Sequence, residues 1–182
     1  NVTLDPQERY VIMANHTTHY DIPLCFVALP GSIRILAKKE LAKIPLLGGA
    51  MKAAKSPIVD RKNREQAKRD LEKVQQLMSE GIIILFYPEG TRSLTGKLGK
   101  LKKGGFVSAI NAKAKIIPIG IRGAGGILPA KTFDFHLNQH VDIHIGQPID
   151  TSEFTLNNKE ALMENVKNQL ISLSGQDTST PE

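Results

Sequence analysis

The sequence predicts an α/β fold, a single domain with a central, mostly parallel mixed sheet flanked by helices. Three observations carry that expectation. Short unbroken apolar runs, such as Ile82–Phe86 and Ile116–Ile121, have the length and composition of strands buried on both faces. Strand-like and helix-like stretches alternate along the chain, as they do when parallel strands are joined by helical crossovers. Polar clusters stand directly after the apolar runs, where α/β sheets place their chemistry.

The elements follow in order. Arg9–Ala14 is short and β-prone, and reads as a buried strand. It runs into the polar segment Asn15-His16-Thr17-Thr18-His19-Tyr20-Asp21. Asp21 precedes Ile22 and Pro23, so a helix is expected to start there, with Asp21 able to cap it. Ser32–Ala37 reads as a second strand. Lys38–Ala54 is expected to be helical but broken by Pro45 and by Gly48-Gly49. Pro57–Val59 is a third strand, ending at Asp60-Arg61.

Arg64–Met78 is the clearest helix. Ala67, Leu71, Val74 and Met78 recur at helical spacing, Lys and Glu fill the other face, and Gly81 stops it. Ile82–Phe86 then delivers Tyr87-Pro88-Glu89-Gly90-Thr91-Arg92-Ser93 to its carboxyl end. A basic loop follows, with Lys97, Lys100, Lys102 and Lys103 spaced by glycines. Phe106–Ala112 is expected to be helical. Ile116–Ile121 is another buried strand, and Pro118 inside it predicts a bulge or an edge position. Val141, Ile143 and Ile145 alternate with His140, Asp142 and His144, the pattern of a half-exposed strand. Lys159–Leu173 is a last amphipathic helix. The domain is expected to span residues 1–173, and the polar tail 174–182 is expected to fray.

Composition narrows the function. At 182 residues, 41% apolar and 23% charged, the chain suits one globular domain with a real core. The net charge of +6 points to an acidic partner: nucleic acid, an anionic membrane or a phosphorylated substrate. Trp is absent and aromatics are few, so a base-stacking platform is not expected, and no nucleic-acid motif is visible. The single cysteine, Cys25, cannot form an internal disulfide, which fits a reducing compartment. It lies in IPLCFVAL and reads as a small buried hydrophobe rather than a nucleophile. No run of about 18 apolar residues is present to cross a bilayer.

Chemistry concentrates in three places. His16 and Asp21 have the spacing for a base and its carboxylate on one strand-to-helix turn. The same residues also fit a helix-capping Asp beside a solvated His. In Glu89–Ser93, Gly90 permits close backbone approach and Arg92 can grip a phosphate bidentately. A surface turn with a Glu–Arg pair is the plainer alternative. Arg61 stands at another strand end, either on the same rim or as a solvated helix-start charge. A zinc site at His16 and His19, or at His140, Asp142 and His144, is the weaker alternative. No metal is expected.

These segments in this order resemble the glycerolipid acyltransferase family typified by lysophosphatidic acid acyltransferase. The family's four blocks are matched by Asn15–Asp21, by Ile58-Val59-Asp60-Arg61, by Tyr87–Ser93 and by Ile116-Ile117-Pro118-Ile119. Lys38-Lys39-Glu40-Leu41 followed by Ile44-Pro45 and Gly48 resembles the segment between the first two. The resemblance implies that His16 is the general base and Asp21 its orienting partner. It implies that Arg61, Glu89, Gly90, Thr91 and Arg92, helped by Lys39, bind the acceptor's glycerol phosphate. Lysophosphatidic acid would be the acceptor, with acyl-CoA or acyl carrier protein supplying the acyl group as co-substrate and no further cofactor. Glycerol 3-phosphate or another lysolipid is the alternative acceptor, and a non-catalytic phospholipid- or carrier-binding module is the alternative of a different class. Two departures stand out. The family's hydrophobic segment ahead of the first block is not in this sequence, and His19-Tyr20 fills positions that are often an aromatic followed by an apolar residue. Because a two-chain lipid product stays in the bilayer, the enzyme is expected at a membrane, on the cytoplasmic face. Lys97–Lys103 could dock on anionic lipid or be a solvated loop.

Overall fold

A computed structural model describes residues 3–45, 47–129, 132 and 134–176, and the side chain of Leu47 is left aside. The main sheet has five strands in the order β2-β5-β1-β6-β7. These are β1 (Tyr10–Ala14), β2 (Ile33–Ile35), β5 (Ile83–Phe86), β6 (Lys115–Arg122) and β7 (Asp142–Ile145). The first four are mutually parallel, and β7 runs antiparallel to β6. The mostly parallel mixed sheet expected from the sequence is therefore the one observed. A second, two-stranded parallel sheet pairs β3 (Ala37–Lys38) with β4 (Ile58–Val59).

β1 lies at the centre, and its side chains alternate between two apolar cores. Val11 and Met13 face one side, together with Ile84, Phe86 and Ile116. There they meet α3 (Arg64–Ser79), α4 (Gly104–Ala112) and α6 (Lys159–Ser174) through Val74, Met78, Phe106, Leu162, Val166 and Leu170. Ile12 and Ala14 face the other side with Leu85, Ile117 and Ile119, under Cys25 and Leu29 of α1 (Asp21–Ala28) and the segment after it. Burial on both faces is why these strands read as continuous apolar runs rather than alternating ones.

Several expectations are refined by the structure. Ser32–Ala37 is not one strand: it leaves the main sheet after Ile35 and begins the small sheet at Ala37. Pro57–Val59 supplies β4, which pairs with β3 and not with the main sheet. Lys38–Ala54 breaks at Pro45, into a 3₁₀ turn at Lys39–Lys43 and a short α2 (Leu47–Ala53); Gly48-Gly49, expected to break it as well, lie inside α2. Pro118 is not at an edge, because β6 lies between β1 and β7. The residue two before it, Ile116, donates its N–H away from β1 to Ile149. Pro118 therefore directs its missing donor toward the same flank, where the β6–β7 ladder has already ended at Ile119↔Ile145. A short α5 (Ala124–Ile127) was not anticipated. α6 ends at Ser174, with Gly175 in the left-handed region (φ 66°) as its cap. Most of the tail expected to fray, residues 177–182, lies outside the described residues.

Candidate active site

The parallel register puts the carboxyl ends of β1, β2 and β5 on one edge of the sheet. The polar segment after β1 and the turn after β5 therefore meet, although more than seventy residues separate them. Asn15 fixes the exit. Its side chain accepts from the Ile121 N–H (2.8 Å) and donates to the Ile121 carbonyl (3.0 Å), extending the β1–β6 ladder by one side-chain rung.

His16 comes next, 9% exposed. Its Nδ1 lies 2.9 Å from Asp21 Oδ2. That same oxygen accepts the Thr17 N–H (2.7 Å) and the Thr18 N–H (2.9 Å). Oδ2 already accepts two backbone N–H groups, an arrangement that suits an Nδ1–H donor from the ring and would leave Nε2 with its lone pair. Asp21 is wholly buried, and its Oδ1 has no hydrogen-bond partner among the described residues. Asp21 therefore does not cap α1, as one reading of the sequence allowed. It sits in the helix's first turn and reaches back to the loop that carries the histidine.

The turn after β5 grips His16 as well. Glu89 Oε1 accepts the His16 N–H (3.1 Å), and Glu89 Oε2 accepts the Gly99 N–H (2.7 Å). The His16 carbonyl accepts the Ser93 N–H (2.7 Å). Burial pushes the Glu89 carboxyl above its usual range, and the two backbone donors pull it back. Glu89 is only 4% exposed, with both oxygens engaged by backbone. Its carboxylate is thus occupied by backbone donors, while the residue also borders the larger cleft described next. The Tyr87 ring lies flat against His16, with centroids 3.9 Å apart and planes 16° from parallel.

A small cavity of about 180 Å³ opens over this pair. His16, His19, Tyr87, Lys38, Arg61 and Arg92 are among its lining residues. It adjoins a larger cleft of about 520 Å³, and Leu36, Lys38, Arg61, Tyr87, Gly90 and Thr91 line both. Val59, Ala67, Leu71 and Phe86 give the larger cleft an apolar wall. Burial, and then the nearby Arg92 charge, hold the His19 imidazole below its ordinary value, which favours a neutral ring.

Most of the candidate residues come together here. Arg61 reaches the site from the small sheet, donating from Nη1 to the Gly90 carbonyl (2.6 Å). Its own turn is fixed by the Asp60 N–H, which donates to Asp70 Oδ2 (3.1 Å). Gly90 has φ +76°, and a Cβ there would stand 2.9 Å from Arg61 Nη1, so this contact needs glycine. Lys39 is the exception. Its Nζ pairs with Asp60 Oδ2 at 2.9 Å, and it lines a separate cleft with Asp70 and Lys73. Its neighbour Lys38 lines the histidine cavity instead. The two lysines stand on different elements: Lys38 ends β3, whereas Lys39 opens the 3₁₀ turn, and the backbone changes direction between them. The sequence showed a Lys-Lys pair but not its phase. Among the described residues no group of three or more His, Cys, Asp or Glu is placed to hold a metal ion, and His140 Nε2 pairs with Asp142 Oδ1 on the surface (2.9 Å).

A histidine paired with a buried carboxylate, in the lining of a pocket that also presents cations, suits an enzyme that moves a group onto a hydroxyl beside an anion. Comparison with known proteins narrows the class. The chain belongs to the acyltransferase family, whose model matches residues 2–122. It is 33% identical over 125 residues to a 1-acyl-sn-glycerol-3-phosphate acyltransferase of Chlamydomonas reinhardtii, covering 69% of this chain and 37% of that protein. It is 30% identical over 143 residues to the chloroplastic 1-acyl-sn-glycerol-3-phosphate acyltransferase LPAT1 of Arabidopsis thaliana, covering 79% and 40%. With the Saccharomyces cerevisiae 1-acyl-sn-glycerol-3-phosphate acyltransferase it shares 29% over 165 residues, covering 89% and 54%. The chain thus spans about half or less of the length of these relatives. Its fold matches the crystal structure of the 1-acyl-sn-glycerophosphate (LPA) acyltransferase from Thermotoga maritima, with a TM-score of 0.71 and 24% identity over 94% of this chain and 69% of that one.

Proposed function

We propose that the chain transfers a fatty acyl group from a thioester, acyl-CoA or acyl carrier protein, to the free hydroxyl of 1-acyl-sn-glycerol 3-phosphate, giving phosphatidic acid. The observation that carries this reading is the His16–Asp21 pair at 2.9 Å, opening onto a cavity that Lys38, Arg61 and Arg92 also line. The acceptor hydroxyl gives its proton to His16 Nε2 as its oxygen attacks the thioester carbonyl. Asp21 stabilises the imidazolium that forms. The tetrahedral intermediate then collapses, the C–S bond breaks, and the imidazolium returns the proton to the leaving thiolate. No protein nucleophile is required, because the acceptor oxygen itself attacks.

Arg61, Arg92 and Lys38 hold the acceptor phosphate in this reading, with Gly90 and Thr91 forming the turn beside it. Lys39 is left out because its charge is already spent on Asp60. Glu89 serves as a brace. The apolar cleft adjoining the cavity takes acyl chain. At about 0.8 kcal/mol per buried CH₂, a sixteen-carbon chain is worth on the order of ten kcal/mol, so substrate and product stay with the bilayer. No described helix is long and apolar enough to cross a membrane. We assign docking on the cytoplasmic face to the basic loop Lys97–Lys103, where each Lys contributes about 1 kcal/mol near anionic lipid. Three hydrogen bonds tie the loop region to the site: Ser93 N–H to His16, Gly99 N–H to Glu89 and Lys102 N–H to Pro88.

An acceptor panel tests the reading. Lysophosphatidic acid, glycerol 3-phosphate and other lysolipids are each supplied with labelled acyl-CoA or acyl carrier protein, and product is followed. Turnover greatest with lysophosphatidic acid is expected. Greater turnover with another acceptor would reassign the substrate, and binding without turnover on any acceptor would favour a non-catalytic module.

A further inference from the structure

We propose that Tyr87 is a positioning residue for the reaction, setting the plane of the His16 ring so that Nε2 aims into the cavity. This rests on His16 being the base.

Nδ1 is held at one point by Asp21. A histidine's terminal torsion is broad, so one hydrogen bond leaves the ring free to rock about that contact. A second ring at 3.9 Å and 16° removes that freedom. The two constraints come from different elements, Asp21 from α1 and Tyr87 from the end of β5, and they act along different directions. Tyr87 also joins those elements, because its hydroxyl contacts Cys25 Sγ of α1 at 3.9 Å. Cys25 is fully buried, its thiol pushed up to about 12, so it is an inert partner there. Burial raises the Tyr87 hydroxyl well above its ordinary range, so the phenol stays neutral and does not compete for the acceptor's proton. When His16 takes that proton, the ring face of Tyr87 already lies against the new imidazolium, a favourable cation–π contact. Among the described residues His16 also meets Asp21, His19 at 6.4 Å between ring centroids, and Glu89 and Ser93 through its backbone, and it shares the cavity lining with Lys38, Arg61 and Arg92. Among the described residues Tyr87 is the one ring stacked on His16, His19 meeting it edge-on.

The test pairs Tyr87→Leu with Tyr87→Phe, using His16→Ala as reference. Catalytic groups misplaced by about 1 Å lose on the order of 10²-fold in rate. Tyr87→Leu is expected to lower kcat by about 10- to 100-fold, with KM for donor and acceptor held within about threefold. Tyr87→Phe keeps the stacked ring and loses only a long O–H···S contact, so it should stay within about threefold of the parent. A second readout does not depend on turnover. Imidazole ¹⁵N spectra should show one Nδ1–H form of His16 in the parent and in Tyr87→Phe, and a mixed or exchange-broadened signal in Tyr87→Leu. The proposal is overturned if Tyr87→Leu keeps both its kcat and its sharp ¹⁵N pattern while His16→Ala is inactive. It is equally overturned if Tyr87→Phe falls as far as Tyr87→Leu. Full activity in His16→Ala would overturn it together with the assigned base.

Discussion

The two halves of the site are built in opposite ways. The base half grows from the central strand of the main sheet and is over-constrained. The His16 N–H, carbonyl and Nδ1 are each held by a different residue, and its ring is stacked. The cationic half grows from the small two-stranded sheet and the turn after β5. Lys38 and Arg61 are exposed, Arg92 is half-buried, and the one described contact among them is Arg61 on the Gly90 carbonyl. A proton acceptor has to be aimed before substrate arrives, whereas charge recognition of a phosphate tolerates long side chains that adjust on contact. Changes on the base half should therefore appear in kcat, and changes on the cationic half in KM for the phosphorylated acceptor.

The sharpest way to break that contrast is at Asp21. Replacing it with Ala removes the acceptor of three donors, and kcat should fall by about 10²–10⁴ with KM little changed. Asp21→Asn should fall less far. An amide oxygen in the Oδ2 position can still accept all three donors, so only the charge is lost, together with one amide placed where Oδ1 has no partner. Steady-state kinetics of the two variants would show this order, and equal losses would mean that geometry alone matters.

Glu89 comes next. Its oxygens face two backbone donors, and Gln would turn an amide N–H toward one of them. Glu89→Gln should cost about 1–3 kcal/mol of stability, read as a fall in Tm of several degrees, and lower kcat about tenfold. If Glu89 instead gripped substrate, KM would rise with Tm unchanged.

The two adjacent lysines sharpen the other half. Lys38→Ala should raise KM for lysophosphatidic acid about tenfold, the scale of one lost charge-assisted contact, while Lys39→Ala leaves it within about twofold. The reverse order would return Lys39 to the site. The smallest catalytic effect is expected at the basic loop. Reversing Lys97, Lys100 and Lys103 to Glu should change turnover of a short-chain soluble acceptor by less than about threefold, while weakening co-sedimentation with anionic vesicles by far more. Unchanged vesicle binding would remove the docking role.

What the sequence disclosed follows the same division. The base half was legible because its information is local. His16 and Asp21 share one turn, and the unbroken apolar run before them announces a central strand. The strands Ile82–Phe86 and Ile116–Ile121 were legible for the same reason. The cationic half depends on phase and on long-range pairing, which composition does not carry. Lys38 ends β3 and Lys39 opens the 3₁₀ turn, so which of the two faces the site depends on where the strand stops. That Pro57–Val59 pairs outside the main sheet is decided by Ala37↔Ile58 and Lys38↔Val59, contacts some twenty residues apart. Glu89 was given a phosphate-binding place by the family resemblance alone. Its burial under the loop at Gly99 could be seen only once the chain was folded. The Tyr87 stack was hidden likewise, since nothing in the sequence brings residues 16 and 87 together until β1 and β5 pair in register.

The most direct test of the account is the turnover of His16→Ala on lysophosphatidic acid with labelled acyl-CoA, beside the parent chain and with folding checked by circular dichroism. A general base of this kind is worth about 10²–10⁴ in rate, so a folded variant with kcat reduced by that factor and KM for the acceptor nearly unchanged is the predicted result. A folded variant that still turns over at the parent rate would contradict it.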